Sequence, residues 1–158
     1  MGKYDKLKKH LTTKGKEMMK RELPNQKTRG SVTLSGHHKQ LSDDFPSQVT
    51  PSGSKRVRYD VQVGIKGNPA LAEATLYHEL GHVVDMQKRR KQGTSISKIH
   101  NERRYSKTRL EQERRANEYA KPSIEKMEPH ARTQAKWHRR VAINTYMHNR
   151  KVTKEGKR

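Results

Sequence analysis

The sequence predicts an α+β fold, strand combined with helices, and three observations carry that prediction. "RVRYDVQVGI" alternates apolar and polar residues as a half-buried strand does. It runs directly into a segment with a helix cap and helically spaced apolar residues. A later segment, "TRLEQERRANEYAKP", has its own helix-start signal and a stripe of small and apolar residues.

Taken in order, residues 3–23 predict a short helix with Leu7, Leu11 and Met18 or Met19 as its apolar points, weakened by Thr12, Thr13 and Gly15. "PNQKTRG" reads as a turn. Residues 31–54 are rich in Ser, Pro and Gly and read as a long loop, with at most a short strand at 32–34. The strand at 57–65 places Val57, Tyr59, Val61, Val63 and Ile65 on one face, and an exposed edge of it could pair with an extended peptide. Asn68 is placed to cap the next helix, which has Pro69 in its first turn and runs towards Gly93. In the following helix Thr108 and Glu111 form a capping-box pair, and Pro122 predicts its end near Lys121. A last helix is expected within 131–148, followed by a basic tail.

Composition narrows the range of functions. Only 28% of the 158 residues are hydrophobic, against about 45–50% in ordinary globular chains. The expected organisation is therefore a folded middle with loosely ordered basic ends: a basic segment over 1–54, a core over 55–122, and a basic helix and tail over 123–158. No cysteine is present, which excludes disulfides, cysteine-rich metal knuckles and a cysteine nucleophile. No stretch has the apolar length of a membrane span and no signal-peptide pattern opens the chain, so a cytoplasmic location is expected. The net charge of +21 is unevenly placed. Residues 1–60 hold 14 Lys or Arg against 6 acids, residues 61–85 hold 1 against 3, and residues 86–158 hold 22 against 7. Two positive flanks around a nearly neutral island predict attraction to nucleic acid or another polyanion.

The island contains "HELGH", residues 78–82. His78 and His82 are four apart on a helix, so their rings share a face at a spacing that suits two ligands of one metal ion. Between them Glu79 has the position of a general base, and Gly81 accepts a helix penalty of about 1 kcal/mol, which suggests close approach by another element. A catalytic zinc takes three protein ligands, and no third histidine follows at a usual spacing. Helical phase in the later segment favours Glu113, with Glu118 the next choice, because Leu110, Ala116, Asn117 and Ala120 share the Glu113 side. Asn117 is a candidate for orienting Glu113 or capping a nearby backbone group, and Asp85 for receiving the outward ring N–H of a ligand histidine.

At these residues the chain resembles the zincin metallopeptidases and, within them, the ImmA/IrrE family, in which an H-E-L-G-H helix is followed by an E-x-x-A-N-x-x-A helix. Here those are His78 to His82, then Glu113, Ala116, Asn117 and Ala120. The resemblance covers about 57–122. It implies a zincin-like core, with a small, mostly antiparallel sheet packed on an active-site helix and a second ligand-bearing helix. It implies that His78, His82 and Glu113 hold Zn2+, that Glu79 is the general base, and that the activity is a zinc-dependent endopeptidase acting on protein or peptide. Members are soluble peptidases, often carried by phages and other mobile elements, that cut DNA-bound repressors or act in stress responses. The competing expectation is a basic nucleic-acid-binding or virion structural protein that retains the scaffold.

The remaining candidates are weaker. His100, Tyr105, Tyr119 and His130 could each stabilise an oxyanion. His37 and His38 read as a loop pair. Trp137 and Tyr146, among basic residues, could stack on bases.

Overall fold

The computed structural model describes residues 5–24, 31–35, 48–52, 58–65, 68–95, 98 and 107–155. In chain order these form α1 (Asp5–Glu22), β1 (Ser31–Ser35), β2 (Gln48–Ser52), β3 (Arg58–Gly64), α2 (Pro69–Lys91), α3 (Lys107–Glu125) and α4 (Pro129–Glu155).

The expected α+β fold with a mostly antiparallel sheet is corrected. Helices of 18, 23, 19 and 27 residues dominate the described chain, against strands of 5, 5 and 7. Those strands are ordered β1-β3-β2 and mixed in direction: β1 is parallel to β3 and β2 antiparallel to it. The physical reason lies in the flanks, where Lys, Arg, Gln and Glu have good helix propensity and extend helices through segments too polar to form sheet. Strand β2 falls in the span expected to be loop. Its Pro51 cannot donate to a ladder, so it reads as a breaker, yet the strand is at an edge where a proline is tolerated. Both sides of β3 are occupied, by β1 and by β2, so no extended peptide can add to the strand expected to receive one.

Helix α2 is the axis of the molecule. The Asn68 side chain accepts from Ala70 N at 2.9 Å and Pro69 fills the first helical position, while past the other end Gly93 takes a φ of +98°. Twelve of its residues are buried, from Ala72 to Met86, because α1, α3, α4 and β3 all pack on it. Strand β3 contributes Val61 and Val63, with Ile65 just beyond it, the inward set that its alternation predicts. Helix α1 contributes Leu11 and Met18, both fully buried, and Gly15 faces Leu76 and Leu80. The basic N-terminal segment is thus docked over α1, and His10 pairs with Glu73 of α2.

Helix α3 does not stop at Lys121. It passes through Pro122 to Glu125, and Ser123 and Ile124 are buried. A proline forfeits one backbone hydrogen bond, and here the burial of the turn beyond it offsets that loss. Helix α4 begins two residues before the expected span and ends seven after it. Glu128 caps it, its two carboxylate oxygens accepting from His130 N and Ala131 N at 3.2 Å each, with Pro129 next in the chain.

Candidate metal centre

The site is built where α2 crosses α3, and Gly81 sets the crossing. A Cβ placed on Gly81 would stand 2.2 Å from the Ala116 carbonyl oxygen and 3.0 Å from Ala116 Cα, so the two backbones are in direct contact. Glycine on one helix and alanine on the other allow that approach. The side chain next to Gly81 and those one turn before Gly81 and Ala116 then reach across the gap.

Three of them converge. His78 Nε2 is 2.9 Å from Glu113 Oε2, His82 Nε2 is 3.2 Å from the same oxygen, and the two imidazole nitrogens are 3.1 Å apart. The rings stand edge to face, with centroids 4.7 Å apart. His82 is buried, while His78 and Glu113 are half-buried at the rim. This His78–His82–Glu113 cluster could coordinate a metal ion. Glu113, the glutamate that helical phase favours, is the one brought to the histidines, and Glu118, the second choice, is exposed.

The hydrogen bond on the far side of His78 decides what the cluster needs. Asn117 Oδ1 accepts from His78 Nδ1–H at 2.8 Å, which leaves Nε2 of a neutral His78 as a lone pair. That lone pair faces a carboxylate oxygen and another imidazole nitrogen. A partly buried triangle of this size needs a proton or a metal ion among its three atoms, and a neutral His82 with its proton on Nε2 is one source of that proton. One solution is a proton: burial works to lower the His78 pKa, but the Glu113 carboxylate and the nearby Glu79 raise it to about 9. The other is a metal ion. Donors about 2.1 Å from a tetrahedral ion lie ~3.4 Å apart, so the triangle need open by only a few tenths of an ångström. Two imidazoles and a carboxylate, with no cysteine in the chain, fit an ion of the zinc type.

Electrostatics around the triangle are consistent with that demand. Burial pushes His82 downward, and a protonated His78 beside it adds to this, so His82 is neutral. Burial also acts to raise Glu113, but hydrogen bonds from His78 and His82 hold it well below the usual carboxylate range. Glu79 is buried at 7% exposure, and desolvation raises its pKa to about 8, with Glu113 adding to the effect and His78 opposing it.

Asp85 was expected to orient a histidine. Instead its carboxylate accepts from Arg115 Nε at 2.6 Å and from the Arg115 terminal nitrogen at 3.3 Å, with Arg89 at 4.0 Å. It clamps α2 to α3 one turn beyond His82. Arg109 lies 3.8 Å from Glu113 Oε1 and engages the oxygen that the histidines do not. The signal was present as an Arg–Glu pair at i,i+4. Among the oxyanion candidates, Lys88 Nζ lies 4.6 Å over the Tyr119 ring, and His130 is exposed beside Gln134. Neither is brought to the cluster. His100 and Tyr105 lie outside the described residues, as do His37 and His38.

Among the described residues no helix is long and apolar enough to cross a membrane. Comparison with protein-family models, with curated proteins and with solved structures finds no match for this chain. The cluster is consistent with a zincin-like metal site in general, and no particular family is shown.

Proposed function

We propose that this protein is a zinc-dependent endopeptidase. The observation that carries the reading is the convergence of His78 Nε2, His82 Nε2 and Glu113 Oε2 from two helices beside the buried carboxyl of Glu79. His78, His82 and Glu113 would hold the ion and leave a position for water or substrate. When bound, zinc supplies Lewis acidity that brings the pKa of a coordinated water near 7. Asn117 keeps His78 in the tautomer whose Nε2 is a donor to metal, and Arg109 fixes the second oxygen of Glu113. Glu79 is the proton carrier: its buried carboxylate accepts a proton from the attacking water and returns it to the departing amine. The H-E-L-G-H and E-x-x-A-N-x-x-A spacings support the same assignment through the ImmA/IrrE resemblance. The positive flanks would direct the peptidase to proteins held on nucleic acid.

Elemental analysis of the purified wild type and of His82→Ala, in parallel with a peptide-cleavage assay, tests the proposal. About one zinc per wild-type chain, little in the variant, and loss of cleavage in a Glu79→Gln protein that keeps its zinc are expected. Wild type that stays metal-free and inert after zinc addition would overturn it.

A further inference from the structure

The three large hydrophobic side chains that are exposed among the described residues, Trp137 at 63%, Val141 at 39% and Met147 at 46%, all belong to α4. Of the side chains described on this helix only Ala135 is buried, with Ala131 packed against the same core. Steps of three and four residues away from that buried side generate one outward stripe: Trp137, Arg140, Val141, Asn144, His148 and Lys151. Every one of these is exposed, and the stripe contains no carboxylate. The whole helix carries Arg132, Lys136, Arg139, Arg140, Arg150, Lys151 and Lys154 against Glu155. A second helix adds to the surface, since Arg114 of α3 reaches the Met147 sulfur at 3.9 Å.

We propose that this outward face of α4 binds single-stranded nucleic acid, with a base stacked on Trp137 and backbone phosphates held by Arg140, Lys151 and Arg114. An exposed indole offers a flat apolar surface to an unpaired base, and basic residues along the same stripe track a phosphate backbone. Asn144 and His148, between them, supply hydrogen-bonding groups for base edges or sugars. The stripe from Trp137 to Lys151 is about 21 Å long at 1.5 Å per residue, enough for a strand to lie along it. Charge order separates this occupant from two others. A helix that lies on a membrane segregates its apolar face from its charges, whereas here Arg140, Asn144, His148 and Lys151 are interleaved with the apolar side chains. A second copy of the chain would bring one strongly positive face against another. Binding of nucleic acid on this face does not depend on the peptidase reading.

Trp137 is the only tryptophan in the chain, so its fluorescence reports on this face alone. Titration with an oligothymidylate of about 12 nucleotides is expected to quench it, more weakly as salt is raised. Measured by anisotropy of a labelled oligonucleotide, Trp137→Ala should bind about 5- to 150-fold more weakly and Trp137→Phe should recover part of the loss. The double variant Arg140→Gln, Lys151→Gln should reduce the slope of log affinity against log salt by roughly 1.4, for two phosphates released. Circular dichroism checks that these exposed substitutions leave the helix intact. Binding without quenching and without loss in Trp137→Ala would overturn the proposal, as would equal affinity for a duplex of the same length. Quenching by phosphatidylserine vesicles but not by the oligonucleotide would assign the face to a membrane surface instead.

Discussion

His78 has a different partner on each ring nitrogen, and the difference controls the chemistry of the site. Asn117 takes the Nδ1 proton, so Nε2 can only accept a proton or a metal ion. Replacing Asn117 with Ala frees the ring to rotate and to change tautomer. Zinc affinity in Asn117→Ala is expected to fall about 10- to 100-fold with the fold retained, as read by competition with a chromogenic chelator. An unchanged affinity would show that His78 is held by other contacts. Acid should act on the same nitrogen. Because the His78 pKa is raised to about 9 in the metal-free protein, zinc must displace one proton at any lower pH. His82 is neutral and releases none. Apparent zinc affinity should therefore rise at least about tenfold per pH unit from pH 6.5 to 8, where Glu79 must also become a carboxylate, and flatten above pH 9, as buffer-matched calorimetry can measure. A flat profile over that range would contradict the triangle as drawn.

Between the elements, the crossing of α2 and α3 at Gly81 and Ala116 decides whether the donors meet. Gly81→Ala tests it with opposed effects. Alanine improves helix propensity by about 1 kcal/mol, but its Cβ would collide with the Ala116 carbonyl oxygen, an atom of the backbone that cannot rotate away. Overpacking of this kind costs about 1–3 kcal/mol or more, so the helices should separate. The expected outcome is a net loss of stability in urea together with weaker zinc binding, since Glu113 is carried away from the histidines. A stabilised variant with unchanged zinc affinity would mean that the helices do not touch here. Much of this crossing was legible in the sequence. A glycine inside an otherwise strong helix pointed to close approach, the Asn68 cap and Pro69 marked where α2 starts, and helical phase in α3 distinguished Glu113 from Glu118. The partner of Asp85 was not legible, because Arg115 and a ligand histidine are equally plausible neighbours until the helix crossing is known. Pro122 misled for a related reason: its effect on a helix depends on whether the next turn is buried, and that depends on tertiary packing.

At the scale of the whole molecule, the fold class was misjudged because the sheet signal is strong only in β3. Strand β2 is marked by a proline that would exclude a central strand but not an edge, and the last helix, expected within 131–148, runs from Pro129 to Glu155 through a flank whose composition resembles disorder. Beside the hydrophobic core around α2, linkage contributes to holding this helical assembly together. α2 and α3 are joined by packing at Gly81, by the Asp85–Arg115 pair and by the His78–His82–Glu113 triangle. A metal ion bound to the triangle binds the folded chain and not the unfolded one, so it should stabilise by about 2.7 kcal/mol at a free concentration 100 times the dissociation constant. The sign of the pH effect follows from His78. Its pKa is raised on folding, so its protonated pairing with Glu113 stabilises the metal-free protein fully below pH 6.5, and that contribution is lost as pH rises through about 9. Glu79, raised to about 8 by burial, acts in the same direction: keeping it buried becomes costly as pH rises from 4.5 through 8. The metal-free protein should weaken over the range in which the zinc form gains. Differential scanning of both forms should therefore show a gap in Tm that is small near pH 6 and widens steadily to pH 9. A constant gap would place the stabilising ion somewhere other than on these three residues, and a gap that narrows would reverse the assignment of the proton to His78.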